Sequence, residues 1–260
     1  MMSYILQGKW EEKRLDDQAN IDQFSIQDEL KGIDIPPGAK VLDAGCGSGI
    51  LCRFLEGKFP EIEVSGCDQS IQSLSYAQEN TKNISSKYFQ HDIVRDHLKD
   101  KYDYIFNRLV AHHLGEEQLK RTIQNFFQAL NEGGKIHIVD VDGVFLNLGT
   151  TSPLLREKIE KVKQAFNGDL QVARYLPSLL FETGFKNIAC KIEVMNFQGR
   201  SRVLEVEQWK ERFVSGLSFY GEVFGNEFEA KKFFKEYTQE AAKEHVPLFC
   251  NKFIVTANKS

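Results

Sequence analysis

An acid followed by three alternating glycines, Asp43-Ala44-Gly45-Cys46-Gly47-Ser48-Gly49, is the stretch of this chain best suited to hold a ligand. Glycine lacks a Cβ, so such a turn tolerates positive φ and lets ligand atoms lie against bare backbone. Asp43 suits an ammonium group, directly or through water. It suits equally the organisation of the turn's own amides. Further along stand two adjacent histidines, His112 and His113, and an imidazole of near-neutral pKa can take the proton of a nucleophile. A purely structural role for the pair is the competing reading. Near the N-terminus, Arg14 and Gln18 lie four apart and share a helix face. A guanidinium there can grip a ligand carboxylate in bidentate fashion. It can also pair along its own helix with Glu11 or Asp17.

The elements that must position these groups follow from periodicity. Val41-Leu42 ends a buried strand and Ile50 to Phe54 restarts an apolar helical pattern, so the glycines join a strand to a helix N-terminus. Strands are expected at 61–68, 87–89, 102–106 and 135–142, with helices over 70–82 and 116–130 between them. Strands separated by helices give βαβ units and a parallel sheet covered on both faces. Beyond Gly143 come helices over 154–166 and 172–182, a strand over 188–197, helices over 203–217 and 226–244, and a last strand over 247–256. Residues 9–31 read as a leading helical segment, stopped by Pro36-Pro37-Gly38. No repeat or linker divides the chain. The organisation expected is one domain over 1–260: an N-terminal lid to 35, a core over 36–200, a helical cap over 201–246 inserted between the last two strands, and the last strand over 247–260.

Composition narrows the classes. The chain has 260 residues, 42% of them hydrophobic, which is enough for a sizeable core. A formal charge of −4 gives no sign of a polyanion-binding surface. No apolar run reaches membrane-spanning length and no signal-like segment opens the chain. Five cysteines (46, 52, 67, 190 and 250) occur without a CxxC pair, which reads as reduced thiols and neither a disulfide frame nor a metal site. The expectation is a soluble cytoplasmic protein.

With these residues in view, the chain resembles the class I S-adenosylmethionine-dependent methyltransferases. Val41 to Gly49 is similar to the first motif of that superfamily. Asp68, Asp92 and Gly133-Gly134 fall in the expected order, so the resemblance is strongest over 40–142. Tyr4, Glu12 to Gln18, Asn107-Arg108 to Leu114, Asp140-Val141-Asp142 and Gly168 to Pro177 resemble more loosely a bacterial small-molecule subgroup. The resemblance implies a Rossmann-like, doubly wound α/β sheet of seven strands with the last antiparallel. It implies S-adenosyl-L-methionine as cofactor, with Gly45 and Gly47 against its methionine and sugar portion. Asp68, 19 residues after Gly49, is placed to accept both ribose hydroxyls, its alternative role being a cap for the next helix. Gln69 joins it in the cofactor set. Asp92 and Ile93 are the pair expected at the adenine, Asp92 having the alternative of an exposed turn acid. Asn107 and Arg108 are expected at the cofactor's amino end, Arg14 and Tyr4 over it from the lid. His112 and His113 are the catalytic candidates, although a sulfonium leaving group makes a base dispensable.

The fourth strand lacks the Asn/Asp-Pro-Pro-aromatic ending that grips planar nitrogens, which weakens DNA and protein N-methylation. Twenty phenylalanines, with Phe213, Phe219, Phe224, Phe228, Phe233 and Phe234 near Trp209 and Tyr220, suit an apolar acceptor pocket in the cap. The function expected is methyl transfer to a small, largely apolar molecule, with no nucleic-acid or membrane partner and a homodimer possible. RNA or protein methylation, nicotinamide-dependent redox chemistry and a degenerate binding protein are the rivals. The dinucleotide fingerprint's third glycine is replaced by Ile50, which argues against the second of these.

Overall fold

A computed structural model describes residues 11–19, 21–81, 86–143 and 145–260. Tyr4 lies outside the described residues. The chain begins with α1 (Glu11–Gln18), a 3-10 turn (Asp22–Phe24) and a short α2 (Ile26–Glu29). Then β1 (Lys40–Ala44), α3 (Ile50–Lys58), β2 (Glu63–Asp68), α4 (Ile71–Asn80) and β3 (Lys87–Gln90) form the first winding. The second comprises β4 (Tyr102–Arg108), α5 (Glu116–Ala129) and β5 (Leu130–Asp142). The remainder is α6 (Pro153–Ala165), α7 (Leu176–Thr183), β6 (Lys186–Asn196), α8 (Gly199–Ser215), α9 (Leu217–Phe224), α10 (Glu227–Ala241) and β7 (Phe249–Asn258).

The seven strands lie in the order β3-β2-β1-β4-β5-β7-β6. The first five pair in parallel, and β7 runs antiparallel between β5 and β6. Chain order reverses at β1, which is flanked by β2 and β4, so a crevice opens at the carboxyl ends of these strands. On one face Leu119, Ile123 and Phe126 of α5 and Leu176 and Leu180 of α7 pack on Leu42, Ile105, Ile136 and Val255. On the other, Leu51, Cys52 and Leu55 of α3 and Leu74 of α4 pack on Val41, Val64 and Phe106. A third cluster joins α6, α8 and α10 through Leu155, Ile159, Phe213, Phe233 and Tyr237. The doubly wound sheet with helices inserted before the final antiparallel strand is therefore the fold that forms.

The leading helical segment differs from expectation. It is broken between Gln18 and Ile26, because Ile21 is extended (φ −83°, ψ 129°) and Ser25 starts a new helix by accepting the Asp28 N–H. The helical stretch expected over 172–182, with Pro177 as its interruption, is a 3-10 turn over Val172–Tyr175 followed by α7, and Pro177 lies in the first turn of α7, where a missing N–H costs nothing. Among the described residues no helix is long and apolar enough to cross a membrane.

One buried side chain joins the two ends of the cap. Arg202 of α8 is buried and donates to the carbonyls of Phe197 (3.1 Å), Ala241 (2.7 Å), Lys243 (2.8 Å) and Val246 (2.8 Å). Removing the guanidinium strands four acceptors. Arg202→Met is expected to cost about 3 kcal/mol in urea-unfolding free energy, most of it from the unsatisfied carbonyls. An effect below about 1 kcal/mol would mean that water replaces the arginine.

Candidate active site

The crevice is shaped by the turn after β1. Gly45 and Cys46 both donate backbone N–H groups to the Cys67 carbonyl at 2.8 and 2.9 Å, which seats the turn against β2. Gly45 has φ +81°, and a Cβ there would come within 2.6 Å of Val110. Gly47 has φ +50° and donates its N–H to Asp68 Oδ2 at 3.0 Å. Asp68 Oδ1 accepts from Ser70 N–H (2.9 Å), and Ser70 caps α4. Asp68 thus organises the turn and the helix start, and its carboxylate stands beside both. Burial pushes its pKa upward, opposed by the Ser70 and Gly47 amides.

Asp43 is buried, and the Cys52 thiol donates to its Oδ2 at 3.6 Å. Loss of solvent pushes its pKa up to about 7, while Cys52 and the positive charge of Arg108 pull it down and Asp68 adds repulsion. A carboxylate held this dry is a receptor for a cation. Asn107 Nδ2 donates to the Ala44 carbonyl (2.7 Å) and stitches the ends of β4 and β1 together. The Arg108 guanidinium is spent on Glu29 (2.5 Å) and the Phe24 carbonyl (2.8 Å), drawing residues 24–29 across the sheet. Asp92 accepts from the Val94 and Arg95 amides at 3.0 and 3.2 Å, so it builds its own turn, while Ile93 is buried in the core. Gln69 is exposed, its carbonyl accepting from Gln90.

Over this floor lies α1. Leu15 sits so close to Gly47 that a Cβ there would approach it to 3.2 Å. Asp16 accepts from Ser48 Oγ (2.6 Å), Tyr76 Oη (3.2 Å) and Arg53 Nη2 (2.9 and 3.0 Å). Glu12 accepts from Ser73 (3.2 Å). Arg14 donates to Glu11 (2.5 and 2.8 Å), to Gln18 (3.0 Å) and across to Gln208 of α8 (3.1 Å). The intrahelical pairing with Glu11 is thus present, and the same guanidinium reaches the cap. Asp16 lay within the subgroup-like stretch Glu12 to Gln18 without a role of its own, because its partners come from three separate elements.

The histidines separate into two roles. Asp140, fully buried at the carboxyl end of β5, accepts the Val141 N–H on Oδ1 (2.7 Å) and the His112 N–H on Oδ2 (3.1 Å). Oδ1 also lies 2.7 Å from His112 Nδ1. A carboxylate already collecting two amides takes a third donor, so the imidazole proton belongs on Nδ1 and the lone pair on Nε2. His113, with its ring 3.9 Å from that of His112, is held neutral: burial, the neighbouring His112 and the charge of Arg14 all push its pKa well down. Asp140 stood out only as part of the loosely resembling Asp140-Val141-Asp142; its partnership with His112, 28 residues earlier, is set by the fold.

The cap aromatics do not surround a pocket. Phe145, Trp209, Phe213, Tyr220, Phe233 and Tyr237 are buried against one another, with centroids 4.9 Å apart for Phe145 and Tyr237 and 5.3 Å for Phe213 and Tyr220. Phe228 is exposed beneath Lys232. From the cap, Gln208 of α8 accepts from Arg14 of α1 (3.1 Å), and α8 also holds the buried pair Glu205 and Arg212 (2.7 Å), with Arg212 lying 4.5 Å over the Trp209 ring.

Comparison with known proteins places this geometry. A family model described as a methyltransferase domain matches residues 41–134. A phosphoethanolamine N-methyltransferase of Arabidopsis thaliana is 30% identical over 196 residues, covering 73% of this chain. The alignment spans only 38% of that relative's own length. The structure of a phosphoethanolamine N-methyltransferase from Haemonchus contortus, bound to phosphomonomethylethanolamine and S-adenosylhomocysteine, superposes with a TM-score of 0.55 at 21% identity. That match covers 98% of this chain and 54% of the other. A cyclopropane synthase of Mycobacterium tuberculosis superposes with a TM-score of 0.59 at 14% identity, covering 89% and 82% of the two chains.

Two outcomes follow from the site. Because Asp43 binds its proton more tightly folded than unfolded, ligand-free stability should fall as pH rises from about 3.8 to about 7 and then level off. Asp43→Asn should flatten that slope in pH-dependent unfolding and weaken cofactor binding at least tenfold. Asp16→Ala should loosen α1, raising amide hydrogen exchange over 11–18 about tenfold, equivalent to ~1.4 kcal/mol of local stability.

Proposed function

This chain belongs to the class I S-adenosylmethionine-dependent methyltransferases, and on that premise we propose that it methylates a small polar acceptor through an amine or hydroxyl group. The cofactor fits the residues present: Asp43 is a dry carboxylate suited to the α-ammonium, and Asp68 is an acid at the end of β2 suited to ribose hydroxyls. When bound, S-adenosylmethionine supplies a methyl on a sulfonium that departs as a neutral thioether. The protein's part is alignment, exclusion of water and removal of a proton.

In this reading α1 closes the cofactor's methionine end, with Leu15 on the glycine turn and Asp16 as its clamp. The acceptor lies past β4 toward β5, between His112 and the polar face that α1 and α8 share. With its nucleophilic atom held there, the acceptor would be aligned to receive the methyl that bound S-adenosylmethionine would supply. The N–H or O–H proton passes to His112 Nε2. Asp140 fixes the tautomer and balances the imidazolium that results. One observation carries this assignment: the Asp140 carboxylate oriented on His112 Nδ1 at the carboxyl edge of the sheet.

A polar acceptor is preferred to an apolar one because the cap aromatics are committed to their own core, whereas the contact that α8 makes with the leading helix is the polar one from Arg14 to Gln208. The likeness to phosphoethanolamine N-methyltransferases favours an amine. The acidic balance of the chain supports a small molecule over a nucleic acid.

Calorimetry with S-adenosylhomocysteine should show micromolar or tighter binding; a folded protein that does not bind it would sink the reading. With S-adenosylmethionine and a panel of small amines, phospho-amines and hydroxy acids, product S-adenosylhomocysteine identifies the acceptor class. His112→Gln should lower kcat about 10²-fold or more with cofactor affinity retained. Asp140→Asn should lower it about 10- to 100-fold and displace the pH profile, a displacement that a packing defect alone would not produce.

A further inference from the structure

The far end of the sheet carries a feature that methyl transfer does not use. β6 is the edge strand, and its outer backbone groups face away from β7. A bulge at Asn187 (φ +52°) ends its irregular part, and pairing with β7 is regular from Ala189 to Asn196. Edge strands are usually blunted by Pro, by shortness or by inward charges. This one is long and free of proline. Ile192 is 57% exposed and Val194 68%, and Cys190 on the same face is exposed too. On the opposite face Lys191 and Glu193 form a pair at 2.5 Å, and the buried Lys252 of β7 reaches the same carboxylate at 3.2 Å.

The order of these residues is self-complementary. If an identical strand is laid antiparallel with Ile192 on the two-fold axis, Lys191 of each copy faces Glu193 of the other. On the apolar face Ile192 meets Ile192, and Cys190 meets Val194. A shift of the pairing by one residue in either direction brings a charge opposite an apolar side chain. The charges thus select one register and the apolar face supplies the driving force. An isologous contact of this kind closes on itself and leaves no further edge at that end.

We propose that β6 is a homodimer interface, pairing with the β6 of a second copy about Ile192 to make one continuous sheet. Each Glu193, already held by Lys252 of its own copy, then also faces the Lys191 of the other copy. The Asn196 carbonyl, at the end of the ladder, is already occupied by Gln23 Nε2 (3.2 Å). The contact is therefore limited to the regular run, and its size places it among weak, concentration-dependent interfaces.

Sedimentation equilibrium of the full chain across a range extending to on the order of 100 µM tests this. A monomer–dimer equilibrium is expected, and Ile192→Asp and Lys191→Glu should each weaken it about tenfold or more, the first by charging the axis and the second by opposing Glu193 with a like charge. Circular dichroism of both variants guards against misfolding. Register is read by disulfide formation under mild oxidation in a Cys190→Ser background: Ile192→Cys should yield a covalent dimer and Val194→Cys should not, because position 194 faces position 190 and lies about 14 Å from its own counterpart. A chain that stays monomeric over the whole range overturns the proposal. So does a dimer indifferent to both charge changes, or equal cross-linking at 192 and 194.

Discussion

Two backbone amides converge on one carbonyl, and the site is built outward from that point. Gly45 and Cys46 both donate to Cys67, so the turn after β1 cannot drift from the end of β2. With the turn so held, Gly47 presents its N–H to Asp68, and Gly45 lies against Val110 without room for a side chain. The geometry requires positive φ at consecutive glycines, which other residues adopt only under strain. Asp43, drawn below the turn, is left in a dry environment where its charge is costly until a cation arrives. The cost is local, and the surrounding core of Val41, Leu51, Leu55 and Phe106 bears it.

The protein spends its charged side chains on positioning more than on the surface of the crevice. Arg108 and Lys252 both reach Glu29, so the N-terminal segment is gripped from β4 and β7 at once. Arg202 holds the cap by four carbonyls, and Asp16 holds the lid by three donors from α3, the turn before it and α4. Each is a case of a long-range polar contact fixing an element whose own helical propensity is modest. Helix α1 shows this well: Glu11 to Gln18 carries a single large apolar side chain, Leu15, and its stability must come from the contacts it makes. A helix held by hydrogen bonds instead of apolar area can be released without unfolding the core, which would suit the lid proposed above.

Much of this was legible in the chain. The alternation of apolar strands with amphipathic helices was sufficient for a doubly wound sheet, because burial on both faces demands near-continuous apolar strands and helices with one apolar stripe. The glycine turn was legible for the same local reason: backbone conformation at Gly45, Gly47 and Gly49 is written in the absence of side chains. Boundaries were less so. The leading segment reads as one helix, yet Ser25 caps a second one after an extended Ile21, a choice made by packing of Phe24 and Ile21 beneath the cap and not by propensity.

What the sequence determined by itself was the fold class, the glycine turn and the acids at the ends of β1 and β2, since each rests on contacts between near neighbours or on a period of the pattern. Tertiary structure decided which polar groups meet. Asp140 on His112, Asp16 on Ser48, Arg53 and Tyr76, and Arg14 on Gln208 join residues separated by 28 to 194 positions. It also turned the cap phenylalanines from a candidate pocket into a core. An aromatic residue is equally content against a ligand or against another ring, and only the placement of α8 and α10 about Phe145 selects between them.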